Sequence, residues 1–313
     1  MKKELIAHKD PKSPVSEVFR TLRTNIQFMN TKGKLKTLLV ASTLPGEGKS
    51  WVTANLAVTF AQAGKKVVLV DADMRKGRQY SIFEVSPRPG LSNYLSGIDM
   101  TTGESTTANL SEYIQETEID NLYLIPAGNV PPNPSELLIS ANMTTLLEQL
   151  KELCDIVIID GTPCELVTDS IILSRLVDST VIVTAYKQTK KDSLKKIVTN
   201  IQNVGGKIAG IVFNKVPVSS KKYEEAYYYG STTMPMKVKP SNRRNNDELI
   251  RRVRPDNPQS IRENERKKEN IDDRETLKRN IKIEASEDVS MEKINDIMNQ
   301  MNTFLDNEKK DLN

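Results

Sequence analysis

The amino-acid sequence predicts an α/β fold, namely a doubly wound, mostly parallel sheet flanked by helices. Apolar, β-branched runs recur along the first 216 residues, and each run is short enough to be a strand buried on both faces. Helical patterns of crossover length lie between most of the runs, which is the alternation expected for a parallel sheet. The runs cover residues 37–42, 66–71, 122–125, 155–160, 180–184 and 208–214, and the helical patterns cover residues 50–63, 134–153 and 190–204.

The character of the chain changes abruptly after the predicted sheet. Residues 231–313 contain one aromatic residue and dense charges of both signs, so most of this extension is expected to be disordered. Ahead of the first strand, apolar residues at helical spacing predict an amphipathic helix. In chain order, the predicted segments are a polar leader (1–13), a core (14–216) that starts with the amphipathic helix (14–29), a tyrosine-rich segment (217–230) and the extension (231–313) with a possible helix (290–306).

Composition and charge exclude several classes of function. The only histidine is His8, which removes nearly all Ser-His-Asp and Cys-His schemes of catalysis. Cys154 and Cys164 are the only cysteines, so they cannot build a disulfide framework, and no zinc-ligand spacing surrounds them. A net charge of +4 on 313 residues gives little reason to expect nucleic acid as a partner. With no apolar stretch long enough for a signal peptide or a membrane span, the protein is expected in the cytoplasm.

A glycine-rich loop follows the first predicted strand and leads directly into a helix. Glycines allow successive backbone N–H groups to face a phosphate, Lys49 supplies a positive charge to the β- and γ-phosphates, and the Ser50 hydroxyl is a magnesium ligand. Thr43 stands where the usual pattern has its first glycine. A turn that merely caps a helix is the plainer interpretation, but the strand–loop–helix context disfavours it. The candidate nucleotide-binding residues of this loop are Pro45, Gly46, Glu47, Gly48, Lys49, Ser50 and Trp51.

Acidic residues end two other predicted strands. Asp71 and Asp73 follow the second strand on alternate positions, so both side chains are expected at the carboxyl edge of the sheet, beside the glycine loop. Asp160 ends an apolar strand at the same edge, in the Walker B pattern that holds magnesium directly or through water. A single aspartate here could simply cap a turn. The three together predict an ATP and Mg²⁺ site in which Ser50, Asp73 and Asp160 organise the metal.

These motifs, in this order, resemble those of the bacterial tyrosine kinases that regulate capsule and exopolysaccharide synthesis. Further stretches fit the same family: the E-x-x-R-x-x-R helix motif of Glu17, Arg20 and Arg23, the segment 128–137, the V-T-D of 167–169, and the strand-end Asn214-Lys215. The resemblance covers roughly residues 13–230. Three departures occur. Gly161-Thr162-Pro163 follows Asp160 in place of T-P-P, and Gly77 stands where proline is common. The tyrosine cluster normally lies at or near the C-terminus in the family, whereas here it is followed by residues 230–313.

The resemblance implies a function and a set of partners. It implies an ATP-dependent protein-tyrosine kinase that autophosphorylates a tyrosine cluster, with Asp71 as the candidate base, Arg75 pinning the loop and Asn214 contacting adenine. Glu17, Arg20 and Arg23 would mediate assembly into a ring. The implied partners are a membrane adaptor that recruits the kinase to the inner face of the cell membrane and a cognate tyrosine phosphatase. The candidate phosphoacceptors are Tyr223, Tyr227, Tyr228 and Tyr229.

Two other functions remain open from the sequence. One is a nucleotide-dependent switch ATPase like the septum-site and partitioning proteins of the MinD and ParA kind. Those proteins carry a lysine at the place of Leu44 and lack a tyrosine cluster, so both features favour the kinase. The other is a non-catalytic ATP-binding scaffold for polysaccharide export, for which the altered Gly161-Thr162 loop is the only argument.

Overall fold

Seven strands form one sheet in this computed structural model, which describes residues 4–29, 35–97 and 109–217 of the chain. Six of the strands run parallel, and only the two-residue β3 pairs antiparallel, with β4. The predicted doubly wound, mostly parallel sheet is therefore confirmed. The strands are β1 (Thr37–Ser42), β2 (Val67–Asp71), β3 (Gln115–Glu116), β4 (Leu122–Ile125), β5 (Ile156–Pro163), β6 (Ser179–Ala185) and β7 (Ile208–Asn214), and their order across the sheet is β3-β4-β2-β5-β1-β6-β7.

Helices cover both faces of the sheet, because its central strands are apolar on both sides. One face packs against the first three helices, and the opposite face packs against the fifth, seventh, eighth and ninth. The helices are α1 (Ile6–Lys9), α2 (Pro14–Met29), α3 (Lys49–Gln62), α4 (Gln79–Phe83), α5 (Leu91–Ser96), α6 (Pro134–Ile139), α7 (Ala141–Leu153), α8 (Asp169–Leu176) and α9 (Lys191–Asn203).

Two of the predicted elements differ from their form in the structure. The helical pattern over residues 134–153 forms two helices rather than one, because Ser140 between them has an extended backbone with φ −61° and ψ 156°. The fourth predicted strand does not stop at Asp160 but continues as β5 through Pro163. This extra length carries the backbone past the acidic residue in a fixed path beside β1, which it pairs as far as Ser42.

Residues 4–9 pack on the folded core, although the sequence analysis assigned residues 1–13 to a polar leader. Leu5 and Ala7 are buried in the cluster beneath α2 and α3. Asn55 of α3 accepts a hydrogen bond from the Ala7 amide at 3.0 Å and donates one to the carbonyl of Glu4 at 2.9 Å, while Gln62 donates to the Ala7 carbonyl. Residues 4–9 are therefore anchored along α3, and the core extends beyond the predicted start at residue 14.

The sheet order determines where the candidate site residues meet. β5 lies between β1 and β2, and all three strands are parallel, so their carboxyl ends share one edge. The predicted features beyond residue 217, namely the tyrosine cluster, the disordered extension and the helix at 290–306, lie outside the described residues. Among the residues described, no helix has both the length and the apolar character needed to span a bilayer.

Candidate active site

The loop between β1 and α3 has the backbone geometry of a phosphate-binding loop. Gly46 and Gly48 have φ values of +80° and +90°, a region that side chains disfavour, so both positions require glycine. A Cβ atom on Gly48 would lie 2.1 Å from Nδ2 of Asn214 at the end of β7. Asn214 in turn donates to the Glu47 carbonyl at 2.9 Å. The residue predicted to contact adenine therefore lies directly against the loop.

The Glu47 side chain points back into its own loop rather than outward. It is buried, and its Oε2 accepts hydrogen bonds from the amides of Thr43 at 2.7 Å and Leu44 at 2.8 Å. Its Oε1 accepts a hydrogen bond from the hydroxyl of Thr189, which lies in the loop just before α9. The carboxylate therefore fixes the curvature of the loop, and only the backbone of Glu47 is available to a nucleotide.

Lys49 pairs with the acidic end of β5. Its Nζ lies 2.6 Å from Oδ1 of Asp160 and 3.3 Å from the Ser50 hydroxyl, and the Thr53 hydroxyl also donates to Asp160 Oδ1 at 3.2 Å. Burial alone would lower the pKa of Lys49, but the charges of Asp160 and Asp73 outweigh it, so that the pKa is raised. The lysine is therefore a stable cation at the centre of the site.

Asp71 is buried beside a second carboxylate. It is the register partner of Asp160 on the neighbouring strand, which places two acidic residues side by side at the sheet edge. Burial, together with the charge of Asp160, raises the pKa of Asp71 to about 7. Its oxygens accept hydrogen bonds from the amides of Gln79 at 2.9 Å and Asp73 at 3.3 Å. Asp71 is thus a carboxyl group able to exchange a proton near neutral pH.

The oxygen atoms at this edge fit a magnesium nucleotide. Asp73 lies at the surface of the cluster with its pKa raised by burial, and its Oδ1 accepts from the Lys76 amide at 3.0 Å. Ser50 adds a hydroxyl, and carboxylate and hydroxyl oxygens are ligands that Mg²⁺ prefers. Within the described ranges, no group of three acidic, histidine or cysteine side chains converges to hold a metal alone. A metal bound here would therefore take further ligands from phosphate and water, as Mg²⁺ commonly does.

Arg75 connects the loop after β2 to the start of α8. Its Nε lies 2.9 Å from Oδ2 of Asp169, which is fully buried, and the Ser135 hydroxyl donates to Asp169 Oδ1 at 2.6 Å. The arginine thus contacts two other segments that the sequence analysis singled out separately, through Ser135 in α6 and Asp169 at the start of α8. Its guanidinium is directed at Asp169 rather than at the carboxylates beside Lys49, and the pinning role stays a prediction.

Comparisons with known proteins identify the family. The model of an AAA domain matches residues 35–211. The CapB protein of Staphylococcus aureus is 40% identical over 226 residues, covering 72% of this chain and 95% of CapB. The tyrosine-protein kinase YwqD of Bacillus subtilis is 36% identical over 231 residues, covering 74% of this chain and 93% of YwqD. The chain belongs to the bacterial tyrosine kinases. The solved BceF tyrosine kinase domain superposes with a TM-score of 0.61 at 36% identity, covering 68% of this chain and 82% of that domain.

Two of the three departures from the bacterial tyrosine kinase pattern lie within the described residues, and both are accommodated by close packing. A Cβ atom on Gly161 would lie 2.3 Å from the Ser170 hydroxyl, which accepts from the Thr162 amide at 2.6 Å and donates to the Thr162 carbonyl at 2.9 Å. A Cβ atom on Gly77 would lie 2.8 Å from Oδ2 of Asp71. Gly161 and Thr162 therefore pack against α8 as part of β5, and Asp160 stays in place.

The residues predicted to mediate assembly have partners inside this chain. Glu17 and Arg20 form an ion pair at 2.8 Å on α2, and Arg23 donates to the Thr59 carbonyl of α3 at 2.7 Å. Trp51, predicted at the nucleotide, directs its ring at Phe19 of α2, edge to face with centroids 5.1 Å apart. Only the Trp51 backbone is therefore available to a phosphate, and ring assembly stays a prediction.

Two residues of this kinase site were missed from the sequence. Thr53 follows Lys49 by one helical turn, so helical spacing alone could have placed its hydroxyl beside Asp160. Gln79 begins α4 and contacts Asp160 through its side-chain amide at 2.8 Å. It lies in a stretch without a recognisable motif, and no signal in the sequence marks it.

Proposed function

We propose that the protein is a magnesium-dependent protein-tyrosine kinase that uses ATP to phosphorylate its own tyrosine cluster and regulates capsule or exopolysaccharide synthesis. The observation that carries this proposal is the edge where β1, β2 and β5 end together. There a phosphate-binding loop and its lysine lie beside a buried carboxyl group, Asp71, whose pKa is about 7. Family membership supplies the choice of tyrosine as acceptor.

Positioning and charge neutralisation are the main demands of phosphoryl transfer. Lys49 would exchange its partner Asp160 for the β- and γ-phosphates, while the loop amides hold the remaining phosphate oxygens. Ser50 and Asp160 would hold magnesium directly, and Asp73 would hold it through water. When bound, the metal neutralises charge that develops on the phosphates.

Asp71 is proposed to accept the proton of the attacking tyrosine. Free tyrosine has a pKa of about 10, so its hydroxyl is almost fully protonated at neutral pH. As the tyrosine oxygen forms a bond to the γ-phosphorus, the bond from that phosphorus to the β–γ bridging oxygen breaks, ADP leaves, and the proton moves to Asp71. A base with a pKa near the working pH is effective in this role.

The tyrosine-rich segment follows β7, the last described strand, which ends beside the candidate site. β7 ends at Asn214, which contacts the phosphate-binding loop, so the chain continues from the edge of the candidate site. An extended chain spans at most about 3.5 Å per residue. Tyr223 is nine residues from Asn214, which corresponds to a reach of roughly 30 Å. Tyr223, Tyr227, Tyr228 and Tyr229 are therefore proposed as phosphoacceptors for this site or for that of a neighbour.

The partners are proposed on the family alone. A membrane adaptor would recruit the kinase to the cytoplasmic face of the membrane and activate it, a tyrosine phosphatase would reverse the modification, and nucleic acid is not expected as a partner. Glu17, Arg20 and Arg23 would have to exchange their present intrachain contacts for contacts with a neighbouring subunit when a ring forms. Several phosphates on the tyrosine-rich segment, each adding about −1.5 to −2 charges, would repel one another and favour release of this segment from the active site of the neighbouring subunit.

Phosphotyrosine mapping tests the proposal. Wild type and Lys49→Met are expressed with candidate adaptor tails, and phosphate is located by mass spectrometry. Phosphate on the tyrosine cluster is expected in the wild type and not in Lys49→Met, while Lys65→Met, a change on an exposed lysine outside the site, should retain it. Turnover of ATP with unmodified tyrosines would instead favour a switch ATPase, and binding without turnover would favour a scaffold.

A further inference from the structure

Gln79 joins three parts of the candidate site. Its backbone amide donates to Oδ2 of Asp71 at 2.9 Å. Its side-chain Nε2 donates to Oδ2 of Asp160 at 2.8 Å and to the Ser50 carbonyl at 3.0 Å. The residue is fully buried, so these bonds are shielded from water. One glutamine therefore connects Asp71 of β2 and Asp160 of β5 with the first turn of α3.

Gln79 also divides the two oxygens of the Asp160 carboxylate between different partners. Oδ1 is contacted by Lys49 at 2.6 Å and by Thr53 at 3.2 Å, whereas Oδ2 is contacted by Gln79. A carboxylate bonded through both oxygens cannot rotate freely. If Lys49 moves to a phosphate, Gln79 still holds Oδ2, and Oδ1 becomes the oxygen available to a metal.

The other end of the Gln79 amide has no partner. Its Oε1 is buried and makes no hydrogen bond within the described part of the chain. A buried acceptor without a partner is unfavourable, because it has lost its hydrogen bonds to water and gained none in the protein. Such an atom, on a side chain that contacts Asp160 and the first turn of α3, points to a ligand that completes it, and the water bound to a magnesium nucleotide has the required O–H donors.

We propose that Gln79 is a positioning residue for the magnesium nucleotide. By holding Oδ2 of Asp160, it leaves Oδ1 as the metal ligand, and its free Oε1 accepts a hydrogen bond from metal-bound water. The inference rests on the proposed function, because it assumes that this edge binds Mg²⁺ with a nucleotide. It adds a residue outside the glycine loop and the acidic strand ends to the machinery of the site.

Calorimetric titration of ADP into the full chain, with and without Mg²⁺, tests this role without measuring catalysis. Gln79→Met removes both Nε2 bonds and Oε1 at nearly constant volume, and it keeps the backbone bond to Asp71. ADP affinity without Mg²⁺ should stay within about 3-fold of wild type, whereas the tightening caused by Mg²⁺ should fall by about 10- to 100-fold. Gln79→Glu, which replaces the donor with a like charge beside Asp160, should lose at least as much.

Asn55→Leu is the matched control, since it removes another buried side-chain amide from α3 without touching Asp160. Its Mg²⁺-dependent tightening should equal that of wild type, even if its melting temperature falls. A folded Gln79 variant that keeps the full Mg²⁺ effect would overturn the inference and leave the kinase proposal standing. A wild type whose ADP affinity ignores Mg²⁺ would instead overturn the magnesium role in the proposed function, and this inference with it.

Discussion

The contact between Gly161 and Ser170 gives a quantitative prediction. An added Cβ at position 161 would lie 2.3 Å from the Ser170 hydroxyl oxygen, so Gly161→Ala must either rotate this hydroxyl away from the Thr162 amide or displace α8 or β5, and it should cost about 1–3 kcal/mol of stability. Ser170→Ala leaves the buried Thr162 amide without its 2.6 Å acceptor and should cost a similar amount, about 1–3 kcal/mol. If the two effects were independent, the loss of stability in the double variant would equal the sum of the losses in the two single variants.

The structure predicts that the two effects are not independent. Once the Ser170 hydroxyl is absent, the nearest atoms to the added Cβ are Leu39 Cδ1 at 3.0 Å and the Val40 carbonyl oxygen at 3.2 Å, which small shifts can accommodate. Gly161→Ala should then cost less than about 1 kcal/mol, giving a favourable coupling energy of about 1–2 kcal/mol.

Urea unfolding of the wild type, both single variants and the double variant measures this coupling energy. The differences in free energy of unfolding are obtained from the midpoint urea concentrations, provided that all four proteins have the same m-value. The matched control is Ser174→Ala, which truncates a buried serine one turn further along α8 that bonds only locally, to the Ile171 carbonyl. Its combination with Gly161→Ala should be additive. Additivity within about 0.5 kcal/mol in the Gly161–Ser170 cycle would refute the packing argument.

Three further predictions concern ionisable groups. The raised pKa of Asp71 means that the folded state binds this proton more tightly than the unfolded chain, so the stability that the bound proton contributes is lost as pH rises from about 4 to about 7. The free energy of unfolding of Asp71→Asn, measured in urea relative to wild type, should therefore increase across that range by up to about 4 kcal/mol. A difference that does not change with pH would contradict this prediction. Arg75→Ala leaves the buried Asp169 carboxylate without its cation and should lower stability by about 1–2 kcal/mol, since the arginine is partly exposed; equal urea midpoints would argue against the pairing. Burial raises the pKa of Cys154 to about 11 and that of Cys164 to about 12. Iodoacetamide at pH 8, followed by mass spectrometry, should therefore label both thiols at least about 100-fold more slowly in the native protein than in urea. Rapid labelling of either thiol in the native protein would be inconsistent with its burial.

The sequence predicted the sheet well because its central strands are buried on both faces. Such strands appear as continuous apolar runs, and the observed bounds of the six predicted strands differ from the predicted ones by one residue at most, apart from the continuation of β5 to Pro163. The two-residue edge strand β3 was not predicted. The break at Ser140 was not predicted, because the apolar pattern of α6 and α7 stays in phase across one extended residue. The docking of residues 4–9 was also missed, since its hydrogen bonds come from Asn55 and Gln62, about 50 residues away.

The candidate site was predictable where chemistry follows strand ends and not where it depends on distant partners. Asp71 and Asp160 could be placed together because parallel strands end at one edge. Glu47 could not be assigned correctly, because only the folded loop shows that its carboxylate caps the Thr43 amide rather than facing a nucleotide. Gln79 was invisible for the same reason, since its partner Asp160 lies 81 residues further along the chain.

The position of Trp51 gives the protein an intrinsic optical reporter. It is the only tryptophan in the chain, it lies in the first turn of α3 just after the phosphate-binding loop, and its ring packs against Phe19 of α2. Indole emission depends on the polarity and mobility of its surroundings. A single unlabelled fluorophore therefore lies between the loop that would bind a nucleotide and the helix that would bind a neighbouring subunit, and its spectrum can follow either event in real time.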